Sequence, residues 1–405
     1  MRDKFQGFYQ PNDEEIKAAW EDKGTLFVFD TSTLLNIYSY ADQTRTDFFS
    51  ILEKLQDQIW LPYHVGLEYQ RRRLEIIKEE KAIFQKIHKC LNKIKDVFES
   101  DFEQLSLKKR FPELFTETEE LKKKILLAIN DYNIKVDAFD KKQPCVRSHD
   151  AIRDKLTSLF AGRVGEKPEQ SWLDKLYEEG KDRFDTKTPP GYEDIKKENK
   201  GQECFTYAGL FYKRIYGDLI IWKQIIQRAK HEDVKAVIFV TDDGKKDWWF
   251  IINSRGEKKI GPRAELREEI CREASINFFI MYNTATFLET GKSILKLDIQ
   301  ETSIDDANTI FLRNLSELYK NQIAYDFQND INRNLAKLYA NYQNKLDNEI
   351  KEKFKELLTF QTNIDLQKDW IKLLKSYNEL QNKNIQNYIY PKANLNNEED
   401  DNDDE

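Results

Sequence analysis

Two short apolar runs decide the fold: TLFVFD at residues 25–30 and AVIFVTDD at residues 236–243. Each has the length and the β-branched or aromatic content of a buried strand, and each ends in aspartate. Ligands of a parallel α/β sheet bind beyond the carboxyl ends of its strands. We therefore expect Asp30 to meet Asp242 and Asp243 at one edge of a sheet, although they lie far apart in the chain.

The same criteria predict four strands, and the stretches between them have helical spacing. This pattern indicates an α/β fold with a parallel sheet flanked by helices. The predicted strands cover residues 25–29, 59–61, 236–241 and 276–281.

Two further acids begin helices beside apolar runs, Glu68 in LPYHVGLEYQ and Asp218 in YGDLIIWKQ. If these helices reach the same edge, the crowded carboxylates repel one another and require a cation. Ligands that are all oxygen favour Mg²⁺ or Mn²⁺ over Zn²⁺. The pattern predicts a metal-dependent nuclease, a phosphodiesterase in which bound ions activate water. The predicted catalytic residues are Asp30, Glu68, Asp218, Asp242 and Asp243, and all of these except Asp242 are predicted metal ligands.

Each acid also has an ordinary structural explanation. Asp30 and Asp218 suit the N-cap of a helix. Glu68 suits the solvated face of an amphipathic helix. Asp242 and Asp243, followed by Gly244, suit a polar turn. The order of the acids, each beside an apolar run, favours the nuclease over these separate explanations.

Other phosphate and hydrolase chemistries have less support. Asp30 is followed by Thr31 and Ser32, whereas a haloacid-dehalogenase-type phosphatase needs a second acid two positions on. The glycines at 162 and 165 have the wrong spacing for a phosphate-binding loop. The four histidines are scattered singly and no G-x-S-x-G occurs, which argues against a hydrolase triad.

Six motifs in this order resemble the PIN-like nucleases, specifically a large bacterial branch with a long helical insertion. They are FVFDTSTLLNIY (27–38), LPYHVGLEYQRRR (61–73), PPGYEDIKKENK (189–200), YGDLIIWKQII (216–226), VIFVTDDGKKDWWF (237–250) and GPRAELREEI (261–270). The resemblance covers roughly residues 1–290. It implies a PIN-like fold and Mg²⁺- or Mn²⁺-dependent cleavage of RNA or DNA.

The resemblance also implies roles for individual residues. The family's acids correspond to Asp30, Glu68, Asp218 and the pair Asp242 and Asp243, and the hydroxyl before the last acid corresponds to Thr241. Further candidates within family-like motifs are Asp194 and Asp247. The bacterial branch makes a role as a toxin or in phage defence a further expectation. The alternative function is a catalytically silent PIN-like protein that binds nucleic acid or recruits a partner.

Composition predicts a division into five parts. A PIN-like core occupies residues 1–71 and 189–294, and a helical insertion, rich in Lys, Glu, Leu and Ile, occupies residues 72–188. A helical module for oligomerisation or partner docking follows at residues 295–390. Residues 391–405 contain seven acids and one lysine, which predicts a disordered tail.

The formal net charge of −7 belongs mostly to that tail, whose own charge is −6. Basic residues cluster near the proposed site, and Arg71, Arg72, Lys245 and Lys246 are predicted to bind the phosphates of a nucleic acid. The alternative is that they are solvated charges. For the adjacent Trp248 and Trp249 we weigh stacking on bases against burial in the core, and burial of at least one is favoured.

The four cysteines show no C-x-x-C pairing, which predicts neither a zinc site nor a disulfide framework and favours a reducing compartment. The chain contains no run of about 18 apolar residues, and its first residues lack the apolar core of a signal peptide. We therefore expect a soluble, cytoplasmic protein with no membrane partner.

Overall fold

The computed structural model describes residues 1, 4–197, 204–254 and 257–316. These described residues all belong to one compact unit. The predictions for most of the C-terminal module and for the acidic tail lie outside them.

A four-stranded parallel sheet lies at the centre of the protein. Its strands are β1 (Thr25–Phe29), β2 (Ile59–Trp60), β5 (Ala236–Val240) and β8 (Phe278–Tyr282), in the order β2-β1-β5-β8. All residues of β1 and β5 are buried, as expected for strands covered by helices on both faces. The four predicted strands and the α/β class are confirmed, with strand ends that differ by at most two residues. The predicted third residue of β2, Leu61, makes an isolated parallel bridge with Val164.

Helices cover both the core and the segment between β2 and β5. The α-helices that lie wholly within the described residues are α1 (Asp13–Glu21), α2 (Thr31–Asn36), α3 (Asp42–Lys54), α4 (Tyr63–Asp96), α5 (Phe102–Gln104), α6 (Leu107–Arg110), α7 (Pro112–Lys142), α8 (Ala151–Leu159), α9 (Gln170–Asp185), α10 (Gly217–Ala229), α11 (Ala264–Ala274) and α12 (Thr284–Leu295). Residues 301–316 are also helical. Short 3-10 turns lie at Gln6–Phe8, Tyr192–Lys197 and Arg214–Tyr216, and a π turn lies at Val97–Asp101.

The predicted helical insertion is helical, and part of it belongs to the main core. The long helices α4 and α7 contact each other, while α8 and α9 bury Leu156 and Leu173 in the same apolar cluster as the sheet. Asp150, at the start of α8, accepts hydrogen bonds from Tyr38 (2.9 Å) and Arg73 (2.9 Å). These contacts attach the inserted helices to the first part of the core.

Two antiparallel hairpins were not predicted. One joins β3 (Cys204–Tyr207) to β4 (Leu210–Lys213), and the other joins β6 (Trp249–Asn253) to β7 (Glu257–Pro262). The turn of the first hairpin has positive φ at both Ala208 (50°) and Gly209 (80°), which matches the twist of paired strands. Alanine is an unusual residue for such a turn, so the sequence lacks the usual Asn-Gly signal.

The chain continues past α12 into the helix at residues 301–316, which packs back onto the core through the buried Ala307 and Ile310. Asp306 accepts hydrogen bonds from the Thr44 hydroxyl (2.8 Å) and the Ala41 amide (2.9 Å) at the start of α3. Among the helices that the structure describes, none is long and apolar enough to cross a membrane.

Candidate active site

The candidate site lies at the carboxyl ends of the two central strands, β1 and β5. Asp30 directly follows β1, and its amide donates to the Val240 carbonyl at the end of β5 (2.9 Å). From β1 the chain continues to β2, which lies on one side of β1 in the sheet, whereas the later strands β5 and β8 lie on the other side of β1. This is the point of a parallel sheet at which ligands usually bind.

Asp30 is both a helix cap and a member of an acidic cluster. Its Oδ2 accepts from the hydroxyls of Ser32 (2.6 Å) and Thr241 (2.9 Å), and more distantly from the Ser32 amide at the start of α2 (3.4 Å). Burial raises the pKa of Asp30 to about 7; the Ser32 hydrogen bond opposes the rise, and nearby carboxylates add to it. Those carboxylates belong to Asp243, Asp218 and Glu68, so acids from three other segments act on Asp30. Capping alone therefore does not explain Asp30.

Threonine side chains position two of the other acids. The Thr241 hydroxyl, which donates to Asp30, accepts from the Asp243 amide (3.0 Å), so it bridges the two acids. Glu68, in the second turn of α4, accepts from the Thr31 hydroxyl (2.9 Å). These bonds hold the carboxylates of Asp30 and Glu68, and the backbone of Asp243, near fixed positions without using every acceptor site on the two carboxylates.

Asp218 lies in the first turn of α10, but it is not the N-cap. The cap residue is Tyr216, which makes no side-chain capping bond. The Asp218 carboxylate accepts from the Trp248 indole nitrogen (3.3 Å) and from Lys245. The capping explanation for this acid is therefore wrong, and its side chain belongs to the cluster.

The Lys245 ammonium lies among three carboxylates. Its Nζ is 2.9 Å from oxygens of Asp194, Asp218 and Asp243, and its side chain is only 12% exposed. Burial would lower the pKa of Lys245, but the surrounding carboxylates, with Asp194 first, outweigh burial and hold this pKa well above its ordinary value. The sequence predicted a phosphate contact for this lysine, whereas its ammonium here pairs with the acids.

Asp247 lies against the same group and is fully buried. Its Oδ2 accepts from the amides of Gly191 (2.9 Å) and Glu193 (3.1 Å), while its Oδ1 is buried without a hydrogen-bond partner. Burial raises the pKa of Asp247 to about 7; Lys245 opposes this rise, and the acids at 218, 243 and 194 add to it. The structure therefore brings both further candidates, Asp194 and Asp247, to the cluster.

Asp242 faces away from the cluster. Its carboxylate accepts from the side-chain amide of Asn36 (2.8 Å) and from the Tyr40 hydroxyl (3.3 Å). It also accepts from the backbone amide (2.9 Å) and the hydroxyl (2.8 Å) of Thr284. These bonds tie the end of β5 to α2 and α12. Successive residues of an extended chain point to opposite sides, so Asp242 and Asp243 diverge. The geometry favours a structural role for Asp242.

The predicted basic residues differ in their surroundings. Arg71 and Arg72 are exposed, three and four positions after Glu68 on α4, and so share its helical face. The Arg71 guanidinium lies 3.8 Å from the centre of the Phe205 ring. Lys246 is exposed as well.

Both tryptophans beside the site are buried, at 2% exposure for Trp248 and 5% for Trp249. The Trp249 indole donates to the Asp243 carbonyl (2.6 Å) and the Trp248 indole donates to Asp218, so the two buried rings help to position these acids. The structure gives no support to the suggestion that they stack on bases. It confirms that at least one of them is buried.

The chemistry of the side chains fits a hard divalent cation. The donors are carboxylate oxygens, one of which, Oδ1 of Asp247, is buried without a partner. As the side chains stand, however, no three acidic, histidine or cysteine residues in the described part of the chain are arranged to hold a metal ion. The ammonium of Lys245 lies between three of the acids.

The sequence did not reveal that Thr31 and Ser32 form hydrogen bonds within the site, or that Lys245 forms ion pairs with its acids. The first two directly follow Asp30, and hydroxyl residues at the start of a helix are usually assigned to capping. In addition to its bond to Asp30, the Ser32 hydroxyl accepts from the Asp242 amide (3.1 Å) and so joins the ends of β1 and β5. The available signal was the run of four polar residues, 30–33, after the buried strand β1.

Comparison with known proteins gives one match. A family model described as a PIN like domain matches residues 26–266, which is more than half of the chain. No curated protein and no solved structure matches the chain significantly. The matched range begins in β1, ends in α11 and contains every acid of the cluster.

Proposed function

Because the chain belongs to the PIN-like domain family, we propose that it is a metal-dependent nuclease that cleaves RNA or DNA. One observation carries this proposal: acids from separate segments converge beyond the carboxyl ends of β1 and β5, where Asp30 has its pKa raised to about 7. A carboxylate whose pKa is raised by burial and by nearby acids is typical of sites that bind cations or perform catalysis.

In this proposal Asp30, Glu68, Asp218 and Asp243 hold Mg²⁺ or Mn²⁺. Asp194 and Asp247 belong to the same acidic group. Bound divalent ions supply activation of water and stabilisation of negative charge during phosphodiester cleavage. Thr241 and Ser32 hold the Asp30 carboxylate in place, and Thr241 also fixes the backbone of Asp243. We assign Asp242 to positioning because it is bonded to α2 and α12.

We further propose that exposed bases beside the cluster hold the phosphates of the substrate. Arg71 and Arg72 share a helical face with Glu68, and Lys246 follows the loop of Asp243. Arginine suits this role because its planar group binds phosphate through two parallel hydrogen bonds. Lys245 is excluded from the initial phosphate contacts, since its ammonium pairs with three acids.

A second candidate function has its own observation. In the described residues no acids are arranged to hold a metal ion as they stand, and Lys245 neutralises part of the cluster. This arrangement also suits a protein that binds nucleic acid or recruits a partner without cleaving. We retain the five-part domain division, a partner or second copy bound through the C-terminal helices, and a toxin or phage-defence role as proposals. The four free thiols support our proposal of a cytoplasmic location.

The test is a cleavage assay with purified wild-type protein and the Asp30→Asn variant. Labelled single-stranded RNA, single-stranded DNA and duplex DNA are incubated in EDTA, Mg²⁺ and Mn²⁺. We expect cleavage that needs metal and falls at least about 100-fold in the variant, because loss of a charged ligand impairs ion binding. Binding without turnover by folded wild-type protein under all conditions would contradict the nuclease and favour the second candidate.

A further inference from the structure

The Lys245 side chain occupies the position that a cation would take between three acids. Its Nζ lies 2.9 Å from Oδ1 of Asp194, Oδ2 of Asp218 and Oδ2 of Asp243. An ammonium group has three protons, so each carboxylate can accept one. The acids come from the 3-10 turn at Tyr192–Lys197, from α10 and from the loop after β5, and one lysine therefore joins three segments.

The backbone directs this lysine toward the acids. The Lys245 amide donates to Oδ1 of Asp243 (3.0 Å), while its ammonium reaches Oδ2 of the same carboxylate (2.9 Å). Both oxygens of Asp243 are thus engaged by Lys245. Asp218 accepts from the Trp248 indole as well as from the ammonium. Two of the proposed metal ligands are consequently occupied by groups of the protein itself.

We propose that Lys245 is an intramolecular counter-cation that a divalent ion must displace from Asp194, Asp218 and Asp243, so that this lysine sets the metal affinity of the protein. The inference rests on the proposed metal site. A ligand that binds only after another group has left has an apparent affinity reduced by the fraction of protein in the competent state. Lys245 therefore keeps the acidic cluster stable without metal and weakens metal binding.

The two effects of Lys245 have opposite signs when it is replaced. Without the ammonium, three buried or half-buried carboxylates lose a common partner, which destabilises the metal-free protein. The same change removes the competitor of the ion and tightens metal binding. A lysine that only supports the fold would give the first effect without the second.

The first experiment uses the full chain with Lys245→Met, Lys245→Arg and the control Lys235→Met. Lys235 is exposed and lies at the opposite end of β5 from the acids. Binding of Mn²⁺ is measured by calorimetry, and thermal unfolding is followed in EDTA and in Mn²⁺. We expect Lys245→Met to bind Mn²⁺ about tenfold more tightly or better. Its melting temperature should fall in EDTA by on the order of 5 °C and recover in Mn²⁺. Lys235→Met should match wild type, and Lys245→Arg should retain weak binding.

A second measurement needs only wild-type protein and so does not depend on whether a variant folds. Lysines are acylated with an amine-reactive ester in EDTA or in Mn²⁺, and modification at each lysine is read by mass spectrometry. We expect Lys245 to be protected in EDTA and to become several-fold more reactive in Mn²⁺, with the exposed and remote Lys235 as the internal reference.

Two results would overturn the inference, and they differ in what else they affect. If Mn²⁺ binds wild type and Lys245→Met equally, and Lys245 stays protected when Mn²⁺ is bound, the counter-cation role is wrong while the metal site stands. If neither protein binds Mn²⁺ or Mg²⁺, both the counter-cation role and the proposed metal-dependent function are wrong.

Discussion

Asp30 is fixed by hydrogen bonds as an acceptor, yet it lies where burial disfavours its charged form in the absence of a cation. Its carboxylate is held by Ser32 and Thr241, yet burial raises its pKa to about 7. The folded protein therefore retains a proton on Asp30 that the unfolded chain releases near pH 4. Stability from this group is complete below the unfolded pKa of 3.8 and is lost as the pH rises toward 7.

This linkage predicts the behaviour of Asp30→Asn, which cannot titrate. In EDTA the difference in free energy of unfolding, variant minus wild type, should increase by about 2 to 4 kcal/mol as the pH rises from 4.5 to 8. The reason is that wild type loses stability over this range, and one pKa unit corresponds to about 1.4 kcal/mol. Urea unfolding at pH 4.5, 6, 7 and 8 measures the difference. In Mn²⁺ at pH 8 we expect wild type to be more stable than the variant, since only wild type retains the Asp30 carboxylate as a metal ligand. A difference that is the same at every pH would contradict the assignment.

Neighbouring acids after β5 serve different elements. Asp242 bonds to Asn36 of α2 and Thr284 of α12, whereas Asp243 faces the cluster and pairs with Lys245. The loop thus divides its two carboxylates between holding helices against the sheet and forming the site. Asp242 thus helps to hold α2 and α12 against the end of β5, and the proposed chemistry depends on Asp243.

We predict opposite outcomes for Asp242→Asn and Asp243→Asn. The first places an amide group against donors that now bond to a buried carboxylate, so the free energy of unfolding should fall by about 2 to 4 kcal/mol with Mn²⁺ affinity near that of wild type. The second should weaken Mn²⁺ binding about tenfold or more with a smaller loss of stability. Urea unfolding in EDTA and Mn²⁺ calorimetry separate the two effects. Equal effects of both changes on both quantities would be inconsistent with this division.

For the molecule as a whole, the distribution of charge matters more than its sum. The net charge is −7, and the last fifteen residues carry −6 of it. Exposed bases at Arg71, Arg72 and Lys246 lie beside the carboxyl edge of the sheet, while Lys235 lies at the opposite end of β5. A nucleic acid at the acidic cluster would therefore meet the first group and not Lys235.

Salt dependence tests this orientation. We predict that Arg72→Ala and Lys246→Ala each reduce the slope of log binding constant against log salt concentration by about 1 unit, since each removes one phosphate contact. Lys235→Ala should leave the slope unchanged. The measurement is fluorescence anisotropy with a labelled single-stranded oligonucleotide in EDTA, which prevents metal-dependent cleavage, at several salt concentrations. An equal change in the Lys235 variant would show that the nucleic acid does not approach through this edge.

The sequence alone determined the sheet and the approximate position of its acids. Buried strands such as 25–29 and 236–240 are continuous apolar runs, and a run of this kind is a local property of the chain. The acids at their ends follow from the rule that parallel strands present their carboxyl ends at one edge. The first hairpin was missed because its turn, formed by Ala208 and Gly209, lacks the usual Asn-Gly signal.

Only the tertiary structure decided what each polar side chain contacts. Lys245 and Lys246 look alike in sequence, but one pairs with three acids and the other is exposed. Asp242 and Asp243 are adjacent, yet they bond to different elements. The physical reason is that apolar burial depends on averaged composition along a segment, whereas a hydrogen bond or ion pair depends on side-chain direction and on partners distant in the chain.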